Sequence, residues 1–205
     1  MIDLHTLSDV ELDALREVAS IGAGHAATAL SEMTGSTIMI SVPRIAIART
    51  EDVPHQLAAA GGEVAIVHMQ MLGDLTGRTF LILPCAVALR LAELMLRRTP
   101  GSSPAMGALE SSAIKEAGNI LCGAYMNALS DFLGVMLMPS PPTLALDGLE
   151  SIVAQSSALR EDRELVFAVE TQFFLQDRAE SLRGFFVLLP DAASLELILA
   201  SLRVS

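Results

Sequence analysis

Basic residues are scarce in this sequence: 13 lysines and arginines stand against 24 aspartates and glutamates, leaving a formal net charge of −11. That balance argues against nucleic acid or an anionic membrane surface as a partner, since both attract a positive face. Acidic chains of this kind suit basic or metal-bearing partners. Cysteine is nearly absent too. Cys85 and Cys122 stand alone in apolar surroundings, which points to buried free thiols in a reducing compartment rather than to a disulfide or a metal site. The four histidines, His5, His25, His55 and His68, show no ligand spacing. The N-terminus has no basic region followed by an apolar block, and no run approaches the roughly 20 apolar residues of a spanning helix. The expectation is a soluble, cytoplasmic protein with no membrane insertion, no protein-bound metal and no cofactor of its own.

What is present is a core and a repeat. With 205 residues, 52% of them hydrophobic, the chain can bury a sizeable interior without a metal or a disulfide. "EVASIGAGHAATALSEMTG" (Glu17 to Gly35) lies over "EAGNILCGAYMNALSDFLG" (Glu116 to Gly134), matching Glu17 with Glu116, Ile21 with Ile120, Gly24 with Gly123, Leu30 with Leu129 and Ser31 with Ser130. Pro43 and Pro142 keep the same register, and "TFLILP" (Thr79 to Pro84) answers "FFVLLP" (Phe185 to Pro190). A duplication of this kind sets the architecture before any other signal is read.

Each half opens with a long helix. Ser8 with Glu11 makes a capping-box pattern for the first, and Ser103 with Pro104 is the expected start of the second; Gly35 and Gly134 end them. Proline-interrupted β-rich runs follow, "STIMISVPRIAIA" and "VMLMPSPPTLAL", then a strand pair in each half, "EVAIVHMQM" with "GRTFLILP" and "RELVFAVETQFFL" with "LRGFFVLLP". Shorter helices are expected near Pro84 to Arg98 and Asp191 to Arg203, loop or short helix over Thr50 to Gly62, and a small amphipathic helix within Asp147 to Arg160. The expected fold is α/β: one domain over residues 1–205, built from two repeats (about 7–100 and about 103–205), with a pseudo-two-fold antiparallel sheet flanked by two long helices and shorter ones.

Helical spacing gathers Leu12, Leu15, Ala19, Ala26, Ala29, Leu30 and Met33 on the core face of the first helix, and Ile114, Leu121, Tyr125, Leu129 and Phe132 on that of the second. Opposite them run two polar stripes: Asp13, Glu17, Ser20 and Gly24; Ser112, Glu116, Asn119 and Gly123. Any surface helix shows such a stripe. The repetition is less ordinary, because both copies keep a glutamate at one place with a small residue beyond it, as a pair of protein-docking faces would. Each mid-helix glycine costs about 1 kcal/mol against alanine, so either a partner or the protein's own other half should approach closely there. His25 reads as a structural or surface histidine. Met33, Met39, Met69, Met71, Met126, Met136 and Met138 read as core filler.

At these residues the sequence resembles the CheC/CheX/FliY family of chemotaxis phosphatases, and most the CheC branch. The family signature is Asp or Ser, three residues, Glu, two residues, Asn, then twenty-two residues and Pro; Ser112, Glu116, Asn119 and Pro142 satisfy it completely. The first copy offers Asp13, Glu17 and Pro43 but has Ser20 in place of the asparagine, and "IGAGHAATALS" is similar to a family phrase with Asn where His25 stands. The resemblance covers nearly the whole chain. It implies hydrolysis of the aspartyl phosphate of the response regulator CheY, with Asn119 positioning water, Glu116 pairing with a lysine of the regulator, and Mg²⁺ carried by the regulator rather than by this chain. Pro142 would shape the strand beside the helix. Asp13, Glu17 and Ser20 would form a degenerate second site that still docks a regulator. Some family members also bind the receptor deamidase CheD through the short helix of the second half, here led by Asp147.

Two function classes remain open on the residues: an aspartyl-phosphate phosphatase, or a non-catalytic adaptor that holds phosphorylated regulator or CheD. A flagellar-switch component would be expected to carry further segments beyond those seen here. Two internal copies can complete a pseudo-symmetric unit alone, so a monomer is expected.

Overall fold

The Ser8 hydroxyl accepts the Glu11 N–H at 3.3 Å while the Glu11 carboxylate accepts the Ser8 N–H at 2.6 Å, closing the expected capping box on helix α1, Asp9–Thr34. Gly35, at φ 68°, ends that helix in the left-handed conformation, and Gly134, at φ 66°, does the same for the second long helix, α3 (Ala108–Leu133). Between them lies α2, Cys85–Met95. The computed structural model describes residues 8–41, 44–49, 63–148, 165–175 and 180–202. Pro43 and the Thr50 to Gly62 segment lie outside the described residues.

The start of α3 differs from the sequence expectation. Ser103 is not its cap, and Pro104 is not its first residue. Ser103 is buried, its N–H donating to the Glu93 carboxylate at 2.9 Å and its hydroxyl to Glu110 at 3.1 Å. Glu93 also accepts the Gly101 N–H at 3.0 Å, so the connection is held as a loop across the end of α2. The helix begins only past Gly107, whose N–H donates to Glu110 at 3.2 Å. Arg98 pairs with the same Glu110 carboxylate at 2.5 Å.

Among the described residues, eight strands form one antiparallel sheet: β1 (Ile38–Ile40), β2 (Arg44–Arg49), β3 (Glu63–Gly73), β4 (Gly77–Pro84), β5 (Leu137–Pro139), β6 (Thr143–Gly148), β7 (Leu165–Leu175) and β8 (Glu180–Pro190); α4, Ala192–Leu202, follows. Hairpins β3–β4 and β7–β8 meet through β4–β8, with Leu81 opposite Phe186. The short strands cross over. β1 and β2 of the first half pair with β7 of the second, and β5 and β6 of the second pair with β3 of the first.

Alternation along β3 sorts its side chains. Ala65, Val67, Met69 and Met71 enter the large core beneath α1 and α3, while Val64 and Ile66 join Ile82, Val187 and Leu189 in a smaller cluster on the other face. The long helices approach closely where Gly22 meets Tyr125, since a Cβ at Gly22 would stand 2.8 Å from the tyrosine ring, and Tyr125 stacks on Phe186 with centroids 4.6 Å apart. Gly118 lies over β3, where a Cβ would come within 2.6 Å of Val67.

Several core assignments are corrected. Leu15, Ala19, Ala26 and Leu30, and Ile114, Leu121, Tyr125 and Leu129, are buried as expected, but Leu12 and Ala29 are only half-buried. Met33 and Phe132 are exposed, because both sit in the last helical turn before the chain reverses at its glycine. Of the seven methionines expected in the core, Met69, Met71 and Met126 are buried. Met39, Met136 and Met138 are exposed, Met39 and Met138 because the short strands give their core-facing positions to Ile38 and Leu137. Asp147 does not lead a helix: it belongs to β6, opposite Val64, since Thr143 to Gly148 continues the ladder along β3. Residues 149–156 lie outside the described residues. Both cysteines are free, and burial raises both thiols, Cys122 to about 11; Cys85 is only half-buried.

Gly118→Ala should lower stability by about 1–2 kcal/mol, overpacking against Val67 outweighing the gain in helix propensity; urea denaturation would measure it, and an unchanged midpoint would contradict this packing. Burial works against ionisation of Glu93, yet the N–H donations from Ser103 and Gly101 and the Arg90 cation outweigh it and hold the carboxyl below its usual range. A lowered folded-state value means that this contribution is present above the unfolded value of about 4.3 and disappears as the pH falls through the folded value. The urea midpoint should therefore drop on acidification below about pH 4.3, and less steeply in Glu93→Gln. Equal slopes would rule Glu93 out.

Candidate functional site

On α3, residues Ser112, Glu116, Asn119 and Gly123 fall within an arc of roughly 60°, at about 100° per residue, and Asn127 extends the line by another turn. Buried Ala117, Leu121 and Tyr125 occupy the opposite side and anchor the helix, which leaves the stripe facing outward. Ser112, Glu116 and Asn127 are exposed; Asn119 and Gly123 are half-buried along it. Among the described residues, neither the Glu116 carboxylate nor the Asn119 amide has a hydrogen bond or ion pair. The helix thus presents an unengaged anion and, one turn on, an amide that can donate and accept at once.

The first helix carries the same line with different chemistry. Asp13, Glu17, Ser20 and Gly24 are all exposed. Asp13 is paired with Arg16 at 2.7 Å, and the Ser20 hydroxyl donates to the Arg16 carbonyl at 2.7 Å. Ser20 therefore bonds back onto its own helix, as serines inside helices do, and its one proton is engaged. The two stripes do not merge. Each lies on the side of its helix away from the Gly22–Tyr125 contact, so the chain displays two separate faces.

The sequence groupings Ser112–Glu116–Asn119 and Asp13–Glu17–Ser20 are each brought to one surface. Pro142 sits in the connection from β5, one residue before Thr143 pairs with His68. The side chain of Asp147 is outside the described residues, as is Pro43. His25 is exposed. Two neighbours of the stripes went unremarked in the sequence: Asn127, legible as one more turn of the second, and Arg16, legible as a cation three residues from Asp13. It had also left open whether Gly24 and Gly123 serve packing between the halves. Among the described residues they do not, since a Cβ at either would meet none of them within 4 Å. Among the described residues no three His, Cys, Asp or Glu side chains converge as a metal cluster would, and no helix is long and apolar enough to cross a membrane.

Comparison with known proteins bears on this geometry. The model of the CheC-like family matches residues 10–47 and 109–146, which include both stripes. The chain is 31% identical over 202 residues to the CheY-P phosphatase CheC of Bacillus subtilis (strain 168), covering 97% of each chain. It is 25% identical over 145 residues to the flagellar motor switch phosphatase FliY of the same organism, covering 70% of this chain and 38% of that one. Among solved structures, Thermotoga maritima FliY superposes with a TM-score of 0.80 at 23% identity, covering 97% of this chain and 98% of that one. The FliM middle domain from H. pylori does so with a TM-score of 0.68 at 14% identity, covering 95% and 99%. Those two structures speak to the fold alone. The full-length match to CheC, and the two family-model matches placed over the two repeats, make this chain a member of the CheC-like family.

Proposed function

We propose that this chain is a phosphatase that hydrolyses the aspartyl phosphate of a phosphorylated CheY-type response regulator, working from the α3 face. The observation that carries the reading is the pair Glu116 and Asn119, one turn apart and both unengaged among the described residues, where the first half has a serine bonded to its own backbone. The phosphatase names of the CheC and FliY relatives support the same reading.

An acyl phosphate is already reactive, and the regulator supplies the Mg²⁺ and lysine that hold it. What remains for a phosphatase is to place a water in line with the scissile P–O bond. The Asn119 amide suits that role: its carbonyl accepts one water proton and its NH₂ donates to a phosphoryl oxygen or to the water, with no change of protonation. The water oxygen attacks phosphorus, the bond to the aspartate carboxylate breaks, and the water's hydrogens leave with inorganic phosphate. Glu116, an anion on the same face, pairs with the regulator's lysine and sets the register in which Asn119 meets the phosphorus. On the α1 face, Glu17 offers the same anion, but Ser20 is shorter and its proton is engaged. That face docks a regulator without efficient hydrolysis.

The test is the decay of phosphorylated regulator with wild type, Asn119→Ala, Glu116→Ala and Ser20→Asn at equal concentration. Asn119→Ala should lose on the order of 10²-fold in rate, the cost of a misplaced water. Glu116→Ala should chiefly raise the concentration needed for half-saturation, by about tenfold or more, as removal of a charge-assisted hydrogen bond of about 1.5–3 kcal/mol predicts. Ser20→Asn should add hydrolysis at the first face. Retention of activity in Asn119→Ala together with its loss in Ser20→Ala would reverse the assignment. Binding without acceleration by wild type would make the chain an adaptor.

A further inference from the structure

A glycine inside a helix ordinarily answers one of three needs: a positive φ, a helix end, or a neighbour too close for a Cβ. Gly22 and Gly118 answer the third, against Tyr125 and Val67. Gly35 and Gly134 answer the first two. Among the described residues Gly24 and Gly123 answer none: both lie well inside 26-residue helices, neither is among the glycines of positive φ, and no described residue stands within 4 Å of a Cβ at either position. The helix would be more stable with alanine there, yet both repeats carry glycine, four residues past Ser20 and Asn119.

Among the described residues nothing accounts for the missing side chains, which leaves the surface at these glycines open to a partner. Gly123 sits on the stripe between Asn119 and Asn127, about 6 Å along the axis from Asn119. We infer that Gly123 is a positioning residue for the hydrolysis: its bare Cα lets the backbone of the regulator's loop beside the phosphoaspartate seat directly on α3, which brings the phosphorus within reach of the water held by Asn119. The inference deepens the proposed function and rests on it. A methyl at this point projects about 1.5 Å from the helix and lifts the docked backbone by a comparable amount. Displacements of about 1 Å can cost on the order of 10²-fold in rate, so the α3 face tolerates little there.

The experiment measures regulator dephosphorylation and urea midpoint together for wild type, Gly123→Ala, Gly123→Leu and Asn119→Ala. Both Gly123 variants should unfold at higher urea than wild type, because alanine and leucine are the better helix formers. Over the same pair kcat/KM should fall in order of size, by about tenfold for alanine and on the order of 10²-fold or more for leucine. A role confined to the chain's own packing would lower stability and activity together. If Gly123→Leu keeps kcat/KM within twofold of wild type while Asn119→Ala loses it, the inference is wrong and the proposed function stands. Equal losses for alanine and leucine would also overturn it, pointing to helix flexibility instead. If wild type itself gives no acceleration, the proposed function fails and this inference with it.

Discussion

The crossed strand pairing is the constraint on which the rest of the molecule depends. β7 carries the short strands β1 and β2 that follow α1, and β3 carries β5 and β6 that follow α3. Each long helix is therefore tethered to a hairpin belonging to the other repeat. A half removed from its partner would leave the ladder groups of its hairpin edge unpaired and the apolar side of its helix uncovered, and both are costly in water. The repeats consequently share one sheet and one main core. Side chains near the helix ends hold the following chain: Ser31 bonds to both the N–H and the carbonyl of Ile38 in β1, and the Ser130 hydroxyl donates to the Val135 carbonyl ahead of β5.

With the backbone so constrained, the two faces can be compared almost as variants of one site. Both keep the glutamate and the open glycine; they differ where the chemistry would be done. Asn119 presents an amide with no partner among the described residues, whereas Ser20 is bonded to the Arg16 carbonyl. Asp13 is paired with Arg16, while Ser112 brings no charge. Since such exposed pairs contribute about 0–1 kcal/mol to stability, their divergence had little bearing on folding, and the sequences of the faces could drift while the fold stayed put. Retention of the glycine despite its helix cost sets it apart from that drift.

Much of this was legible without coordinates. The capping box of Ser8 and Glu11, the terminal glycines, the proline-broken strands and the hairpins all depend on residues close in the chain, where propensity and periodicity act. The same holds for the stripes, since rotation per residue alone decides which side chains share a face. The failures lie where a distant group outbids a local preference. Ser103 has the composition of a helix cap, but Glu93 and Glu110 capture it from other turns of the chain. Asp147 looks like the start of a helix, but β3 offers a ladder that extends to Gly148. Composition alone places the methionines in the core, but Met39 and Met138 are the central residues of three-residue strands whose first residues, Ile38 and Leu137, face the core, and alternation turns the next side chain outward.

By itself the sequence determined the duplication, the two long helices with their ends, the outward stripes and the inequality of Asn119 and Ser20, because each follows from spacing within one turn or one hairpin. Only the tertiary structure decided that the repeats exchange strands, that Gly22 and Gly118 serve packing while no described residue packs on Gly24 or Gly123, and that the Ser20 hydroxyl is engaged with its own helix. Those facts concern which surfaces meet across the fold, and no local periodicity carries that information.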